Sequence, residues 1–336
     1  MALAAISATI LDEASSPDQL REALRQFAQL CSDHTGIVPD PSFDGWAGDT
    51  FLDSGVAINP QAAAHCVNDI HRSVVFIRGV YAAILACRQR IADQPVRILY
   101  AGCGPYATLL LPLLHKFTPG ELEICLLDIH QQSLASVERL IAHFGFDAHH
   151  IQTVQGDACT YQHPVPLHLV IAETMQKSLE QEPQFAVTAN LAPQLCAQGI
   201  FIPEKITVEL CLVRVGKQAG SEPGERIALA TVFTLLPALA AAQLRDASYN
   251  QDTAWHELSP VAIEIPRLQN LASFEALMFT RILVFAQHQL GDYEAEITLP
   301  LRCPELASLR GGDRYRVRYQ LGNYPRFNYT RLPSVS

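Results

Sequence analysis

Residues 96–128 read VRILYAGCGPYATLLLPLLHKFTPGELEICLLD, and this stretch decides the fold. An apolar run ends in a glycine-rich turn, a helical pattern follows, and a second apolar run ends at Asp128. The glycines let the backbone approach a ligand closely, and an acid at the end of the second strand can accept hydrogen bonds from both ribose hydroxyls. The pattern therefore predicts a βαβ unit that binds a cofactor containing adenosine.

Length and composition indicate a globular protein. The chain has 336 residues, of which 49% are hydrophobic, and no unbroken apolar segment approaches the roughly 20 residues of a membrane span. Its first residues, MALAAISATILDEASS, lack the basic start of a secretory signal. The nine cysteines form no CxxC pair, which favours reduced thiols over disulfides or a zinc site. We predict a cytoplasmic protein that uses no metal and has no membrane partner.

The formal net charge of -10 opposes binding to nucleic acids, because a phosphate backbone would be repelled. The one short basic stretch, residues 310–318 (RGGDRYRVR), alternates in the manner of an exposed strand face. We therefore predict no nucleic-acid partner, whereas the oligomeric state stays open.

Strands and helices alternate through the middle of the chain. Before them, residues 16–18 (SPD) begin a helix, and residues 59–92 form a long helical pattern that Gly79 can kink or divide. Predicted strands then cover 96–100, 122–127, 151–155 and 167–172, and predicted helices cover 106–117, 131–144 and 181–197. This alternation indicates a parallel sheet with both faces covered.

After Pro203 the pattern changes to short alternating segments separated by turns. These segments are ITVELCLVRV, RILVFAQHQL, YEAEITLPL and YRVRYQLGN. We therefore predict an α/β protein with a helical segment at 1–92, a cofactor-binding domain at 93–203 and a β-rich domain at 204–336.

The glycine turn by itself leaves the cofactor open. Gly102, Gly104 and Ala107 satisfy a GxGxxA fingerprint, and Asp128 lies 21 residues beyond Ala107. On this segment alone a nicotinamide dinucleotide remains an alternative.

The next two strand ends favour S-adenosylmethionine. Asp157 follows the strand predicted at 151–155, and Glu173 follows the strand predicted at 167–172. Together with Asp128 they place acids at the ends of three consecutive strands, where open α/β sheets bind ligands. A sulfonium cation tolerates acidic surroundings better than a pyrophosphate does.

The order AGCG, LLDIH, GDA and IAETM resembles the class I S-adenosylmethionine-dependent methyltransferases. Over roughly residues 60–205 the chain resembles the protein arginine methyltransferase branch, whose paired glutamates match Glu173 and Glu182 at a spacing of nine. Asp69-x-x-Arg72-Ser73 is similar to that branch's Asp-x-x-Arg-Thr. The resemblance implies a Rossmann-like sheet, an N-terminal helical lid that closes over the cofactor, and a C-terminal β-rich domain.

The resemblance also implies a role for each matching residue. Arg72 would bind the methionine carboxylate, Gly102 and Gly104 would allow close backbone approach, Asp128 would bind the ribose, Asp157 with Ala158 would bind the adenine, and Glu173 with Glu182 would hold a cationic group near the sulfonium.

The chain also departs from that family. Tyr100 replaces an acid that contacts the methionine amino group, and Tyr106 replaces the third glycine. No Thr-His-Trp motif occurs in the second domain, where Trp255-His256 is a poor substitute. The two phenol rings could enclose a sulfonium through cation–π contacts, worth about 0.5 to 2 kcal/mol, or simply pack. These departures favour a small-molecule substrate over protein arginine.

Three functional hypotheses follow. The first is methyl transfer to a small molecule, an amine among the candidates, with Glu173 orienting the nucleophile or accepting its proton and Glu182 as its companion. The second is cyclisation of S-adenosylmethionine itself to azetidine-2-carboxylate with release of methylthioadenosine, as in the bacterial synthases that resemble methyltransferases. The third is a non-catalytic subunit that only binds the cofactor.

Overall fold

The computed structural model describes residues 2–39, 48–91, 94–214, 225–251 and 255–333. Its α-helices are α1 (Ala2–Leu11), α2 (Pro17–Thr35), α3 (Pro60–His65), α4 (Ile70–Arg90), α5 (Gln131–Phe144), α6 (Gln184–Leu191) and α7 (Pro237–Arg245). Its strands are β1 (Thr50–Leu52), β2 (Gly55–Ala57), β3 (Val96–Ala101), β4 (Leu122–Asp128), β5 (His150–Gln155), β6 (Leu167–Ala172), β7 (Leu195–Ile202), β8 (Lys205–Arg214), β9 (Arg226–Leu235), β10 (Ser248–Asn250), β11 (Trp255–Glu257), β12 (Val261–Glu264), β13 (Phe274–Phe285), β14 (His288–Leu290), β15 (Leu301–Arg302), β16 (Arg314–Leu321) and β17 (Arg326–Arg331).

A five-stranded parallel sheet forms the centre of the protein, in the order β5-β4-β3-β6-β7. The chain runs outward from β3 to β5 and then returns to the other side of β3 with β6. The carboxyl ends on either side of β3 therefore border the crevice in which open α/β sheets bind ligands. The predicted α/β class and four predicted strands are confirmed.

Both faces of this sheet are buried, as predicted. Ile98 and Tyr100 contribute to the large core that includes α4, whereas Leu99 and Ala101 contribute to a smaller core that includes α6 residues. This alternation follows from the two-residue period of a strand. Apolar residues at consecutive positions of β3 are thus explained by burial on both sides.

Helix α4 is long and apolar enough to cross a membrane by length and composition, yet more than half of its most apolar window is buried inside the protein. Gly79 does not divide it, because α4 runs unbroken over Ile70–Arg90. A Cβ atom there would lie 2.5 Å from Cγ1 of Val284, so the glycine lets α4 pack closely on β13. The division predicted at Gly79 is instead at Cys66–Asp69, where a 3-10 turn separates α3 from α4. Asp69 then caps α4 by accepting a hydrogen bond from the Arg72 backbone N–H.

Two other helix predictions are wrong in extent. The segment predicted as a helix at 106–117 contains turns and a 3-10 helix at Leu111–Lys116, because Ala107 is left-handed and Pro112 removes an N–H donor. The helix predicted at 181–197 covers only Gln184–Leu191, and its predicted end belongs to β7. Pro193 lies in the 3-10 turn between these two elements.

The C-terminal part is β-rich, as predicted, and its strands pair antiparallel. One sheet has the order β14-β13-β8-β9, and another has the order β10-β11-β16-β12 with β17 beside β16. The strand predicted for YEAEITLPL, residues 293–301, is wrong. Tyr293 is left-handed, and a 3-10 helix at Glu296–Thr298 follows it, held by the Thr298 hydroxyl. The sequence patterns did not reveal β9 and α7. The proposed domain boundaries at 92 and 203 stay predictions.

Candidate active site

A cavity opens at the carboxyl edge of the parallel sheet and encloses about 1040 Å³ of space, counting the part open to solvent. Every site residue predicted from the sequence lines it: Arg72, Tyr100, Gly102, Gly104, Tyr106, Asp128, Asp157, Ala158, Glu173 and Glu182. The structure thus brings these residues together, while their individual roles stay predictions.

The glycine turn folds over the end of β4. The Gly102 N–H donates to the Leu127 carbonyl at 2.9 Å. Gly102 and Gly104 have φ values of 66° and 63°, which L-residues rarely adopt. A Cβ at Gly102 would lie 2.6 Å from Cγ2 of Thr174, whereas a Cβ at Gly104 would find its nearest neighbour at 3.5 Å. Packing therefore requires glycine at position 102, and the positive φ favours glycine at both 102 and 104.

Asp128 is held rigidly at the end of β4. Its Oδ2 accepts a hydrogen bond from the Gly104 N–H at 2.9 Å, and its Oδ1 accepts one from the His130 N–H at 2.8 Å. An ionised carboxylate offers about four acceptor positions. The side chain is therefore oriented by the backbone and can still accept hydrogen bonds from a diol.

Asp157 and Ala158 form the turn after β5. Oδ1 of Asp157 accepts a hydrogen bond from the Cys159 N–H at 2.8 Å, and the Ala158 carbonyl accepts one from Asn190 at 2.9 Å. These bonds place the second acid of the sheet edge beside Asp128 along the same cavity wall.

A β-hairpin of β1 and β2 covers part of the cavity, and sequence analysis missed it. The Asp53-Ser54-Gly55 turn between apolar residues was the available signal. Ser54 donates to the Cys159 thiol at 3.0 Å, and the Val56 N–H donates to the Gln181 carbonyl at 2.8 Å. The hairpin therefore joins the Asp157 end of the cavity to the segment that carries Glu182.

Arg72 and Glu173 form a buried ion pair between α4 and the end of β6. Their side chains are only 11% and 9% exposed. The other carboxylate oxygen of Glu173, Oε1, is buried and has no hydrogen-bond partner among the described residues. A buried acceptor without a partner is costly, so this oxygen is suited to a donor from a ligand.

Glu182 is the second carboxyl group of the site and is 6% exposed. Burial and the nearby charge of Glu173 raise its pKa to about 8, although Arg72 opposes this shift. Burial also raises the pKa of Glu173 above its ordinary value, although the ion pair with Arg72 opposes this shift. The arginine thus stabilises one carboxylate, and the second carboxyl group retains its proton at neutral pH.

The segment between these carboxyl groups, residues 173–182, is here called the glutamate loop. Ser178, Leu179 and Gln181 have φ values of 59°, 57° and 69°. Such conformations cost about 1 to 3 kcal/mol per residue and persist only where surrounding contacts impose them. The loop is therefore strained.

Gln184 holds the first part of the glutamate loop. This buried side chain accepts a hydrogen bond from the Thr174 N–H at 2.9 Å and donates to the Ala172 carbonyl at 3.0 Å. Because Glu173 lies between those two residues, Gln184 fixes the backbone that carries its carboxylate.

The two tyrosines differ in their surroundings. Burial, together with nearby groups that include Glu173, raises the pKa of Tyr100 well above its ordinary value, so its phenol is neutral. The Tyr106 hydroxyl contacts the Ile37 carbonyl and Ser32 of α2, and its ring meets Phe27 edge-on. Tyr106 thus joins the glycine turn to the N-terminal segment, whose role as a lid stays a prediction.

Cys66 also lines the cavity, and no sequence signal distinguished it. Burial raises the pKa of its thiol to about 11, while Arg72 lowers it, so the thiol is neutral.

In the part of the chain that the structure describes, no group of three or more histidine, cysteine, aspartate or glutamate side chains could hold a metal ion.

No protein-family model matches this chain, and no curated protein matches it. Among solved structures, it is similar to the PRMT1 enzyme-prozyme heterotetrameric complex of Trypanosoma brucei with AdoHcy, at 13% identity and a TM-score of 0.47, covering 80% of this chain and 96% of that one. It is also similar to Arabidopsis thaliana protein arginine methyltransferase 10, at 9% identity and a TM-score of 0.49, covering 76% of this chain and 85% of that one. Structural similarity this weak does not indicate which reaction this chain catalyses.

Proposed function

We propose that this chain is an S-adenosylmethionine-dependent methyltransferase that acts on a small molecule through an amine nucleophile. The observation that carries the proposal is the buried Arg72–Glu173 pair, whose Glu173 Oε1 has no partner among the described residues. This ion pair lines the same cavity as Asp128, whose carboxylate the backbone orients.

The donors and acceptors of the cavity fit this cofactor. Asp128 has acceptor positions left for two ribose hydroxyls, and Asp157 can accept from the adenine amino group. The guanidinium of Arg72 has five N–H donors, and its bond to Glu173 leaves others for a carboxylate.

When bound, S-adenosylmethionine supplies an electrophilic methyl carbon on a sulfonium. The protein then holds the nucleophile in line with that carbon and excludes water. Oε1 of Glu173 accepts a hydrogen bond from the acceptor amine and orients its lone pair toward the methyl carbon. As the carbon–nitrogen bond forms and the methyl carbon–sulfur bond breaks, Glu173 can take the proton that the methylated nitrogen releases. Glu182, protonated before the acceptor enters, can donate a hydrogen bond. If it releases its proton to water, its carboxylate can hold a cation.

The nucleoside product tests this proposal. The protein is incubated with S-adenosylmethionine, with and without a panel of small amines, and the nucleosides are separated by chromatography. We expect S-adenosylhomocysteine only when an acceptor is present. Methylthioadenosine as the sole nucleoside would contradict methyl transfer, and bound cofactor without any product would favour the non-catalytic subunit.

Tyr100 favours cyclisation as a second candidate. In the family that the chain resembles, an acid at this position contacts the cofactor's amino group and would stabilise its ammonium form, whereas the Tyr100 phenol is neutral. A free amine could attack the γ-carbon as the carbon–sulfur bond breaks, forming azetidine-2-carboxylate and methylthioadenosine. The same chromatogram distinguishes this reaction from methyl transfer.

Replacing Asp128 by asparagine should weaken cofactor binding. The amide keeps one acceptor oxygen, but its NH2 group would face a backbone N–H or a ribose hydroxyl. Losing a charged hydrogen bond corresponds to an increase in Kd of about 10- to 100-fold. Calorimetric titration with S-adenosylmethionine measures it, with the exposed Glu138→Gln variant as control. An unchanged Kd would argue against ribose binding by Asp128.

A further inference from the structure

We infer that the C-terminal β-rich part sets the conformation of the glutamate loop, and that Thr280 and Tyr319 are positioning residues for Glu173 and Glu182. This inference rests on the proposed function, because the loop carries both carboxyl groups of the proposed site. It assigns a purpose to a part of the chain whose role the sequence left open.

Three hydrogen bonds of the described residues connect the β-rich part to the left-handed residues of the loop. Oγ1 of the buried Thr280, on β13, accepts from the Ser178 N–H at 2.8 Å. The hydroxyl of Tyr319, on β16, donates to the Leu179 carbonyl. The Pro325 carbonyl accepts from the Gln181 N–H at 2.8 Å.

These bonds fall on the strained residues of the loop. Ser178, Leu179 and Gln181 are the loop residues with left-handed φ, and each makes one of the three bonds. L-residues leave this conformation unless their surroundings impose it. The β-rich part therefore supplies the contacts that impose a conformation which the loop's own sequence does not favour.

Aromatic side chains hold the ring of Tyr319 in place. Its ring stacks on Phe233 of β9 at 5.0 Å between centroids, and it packs near Phe327 of β17 at 5.1 Å. Phe185, in the first turn of α6, meets the same ring at 6.2 Å. Because α6 begins just after Glu182, one aromatic cluster holds both the middle of the loop and its end.

Thr280 and Tyr319 do not line the cavity, so they act through the loop and not on a ligand. Their effect on chemistry would arise because the reacting groups need accurate placement. A displacement of about 1 Å can cost on the order of 10²-fold in rate.

The kinetic test removes one hydroxyl at a time. Thr280→Val and Tyr319→Phe should each lower kcat by about 10- to 100-fold while KM for S-adenosylmethionine stays unchanged. Thr280→Ser, which keeps the hydroxyl, should restore kcat. Tyr329→Phe is the matched control, because its hydroxyl makes hydrogen bonds to Met278 and Cys303 and not to the three left-handed residues of the loop. An unchanged kcat in both folded variants would overturn the inference, and so would parallel losses of kcat, cofactor affinity and thermal stability.

Hydrogen exchange tests the same inference without turnover. In Thr280→Val, the Gln181 amide keeps its own acceptor, the Pro325 carbonyl. If the loop is held as a unit, this amide should nevertheless exchange faster than in the parent protein. Equal exchange would overturn the inference. A parent protein that releases no nucleoside would instead count against the proposed function alone, since the exchange result does not depend on it.

Discussion

Replacing Glu173 by glutamine should lower turnover by about 10²- to 10⁴-fold, the usual contribution of a positioned proton acceptor. The amide keeps the size of the side chain but loses the negative charge that Arg72 stabilises. The guanidinium then becomes free for a ligand carboxylate, so S-adenosylmethionine should bind at least as tightly. Product formation and calorimetric affinity, measured on the same preparation, separate these two effects.

Glu180→Gln is the matched control for this variant. Glu180 belongs to the same glutamate loop, and burial raises its pKa as well, although a backbone hydrogen bond from Phe327 opposes this shift. Glu180 does not line the cavity, and the amide oxygen of glutamine can still accept that hydrogen bond. Its turnover should equal that of the parent protein. Comparable losses in both variants would show that the loop tolerates no carboxyl replacement, and retained turnover in Glu173→Gln would remove Glu173 from the mechanism.

Replacing Glu182 by glutamine should stabilise the ligand-free protein and at the same time lower turnover. The pKa of Glu182 rises from 4.5 to about 8 on folding, because the folded protein disfavours the charged form. Between these two pH values the unfolded chain loses a proton that the folded protein retains. The free energy of unfolding therefore falls as the pH increases from about 4.5 to about 8.

Glutamine cannot ionise, so it removes this penalty. We expect equal stability for the two proteins near pH 4.5 and an advantage of a few kcal/mol for Glu182→Gln near pH 8. Thermal unfolding across this pH range measures the difference. Glu138→Gln, at an exposed position of α5, should show no such divergence. A variant that loses stability at every pH would contradict the assigned protonation of Glu182.

The two glutamate predictions together describe the proposed site as one in which groups needed for chemistry lower the stability of the folded protein. Two carboxyl groups share one arginine in a buried cavity, and the strained loop that carries them is held from outside. Local departures from stability rules of this kind are expected at functional sites. A Glu182→Gln variant that is more stable to unfolding but has lower turnover would show this directly.

Much of the fold could be predicted because its signals are local. The run from Val96 to Asp128 predicted two strands and the turn between them, and strand ends of a parallel sheet necessarily share an edge. That geometry alone brought Asp128, Asp157 and Glu173 into one cavity. Where helices were misjudged, the cause was also local, since Pro112 and Pro193 interrupted patterns of apolar residues that otherwise suited a helix.

The sequence by itself thus determined the parallel sheet, the edge at which the cavity opens and the identity of the residues there, because strand periodicity and turn chemistry are properties of neighbouring residues. Only the tertiary structure decided how those residues are paired and held. Arg72 meets Glu173 across 101 positions, Ser178 meets Thr280 across 102, and Leu179 meets Tyr319 across 140. No local pattern encodes such contacts, because they form only when α4 and the β-rich part pack against the segment that carries the glutamates.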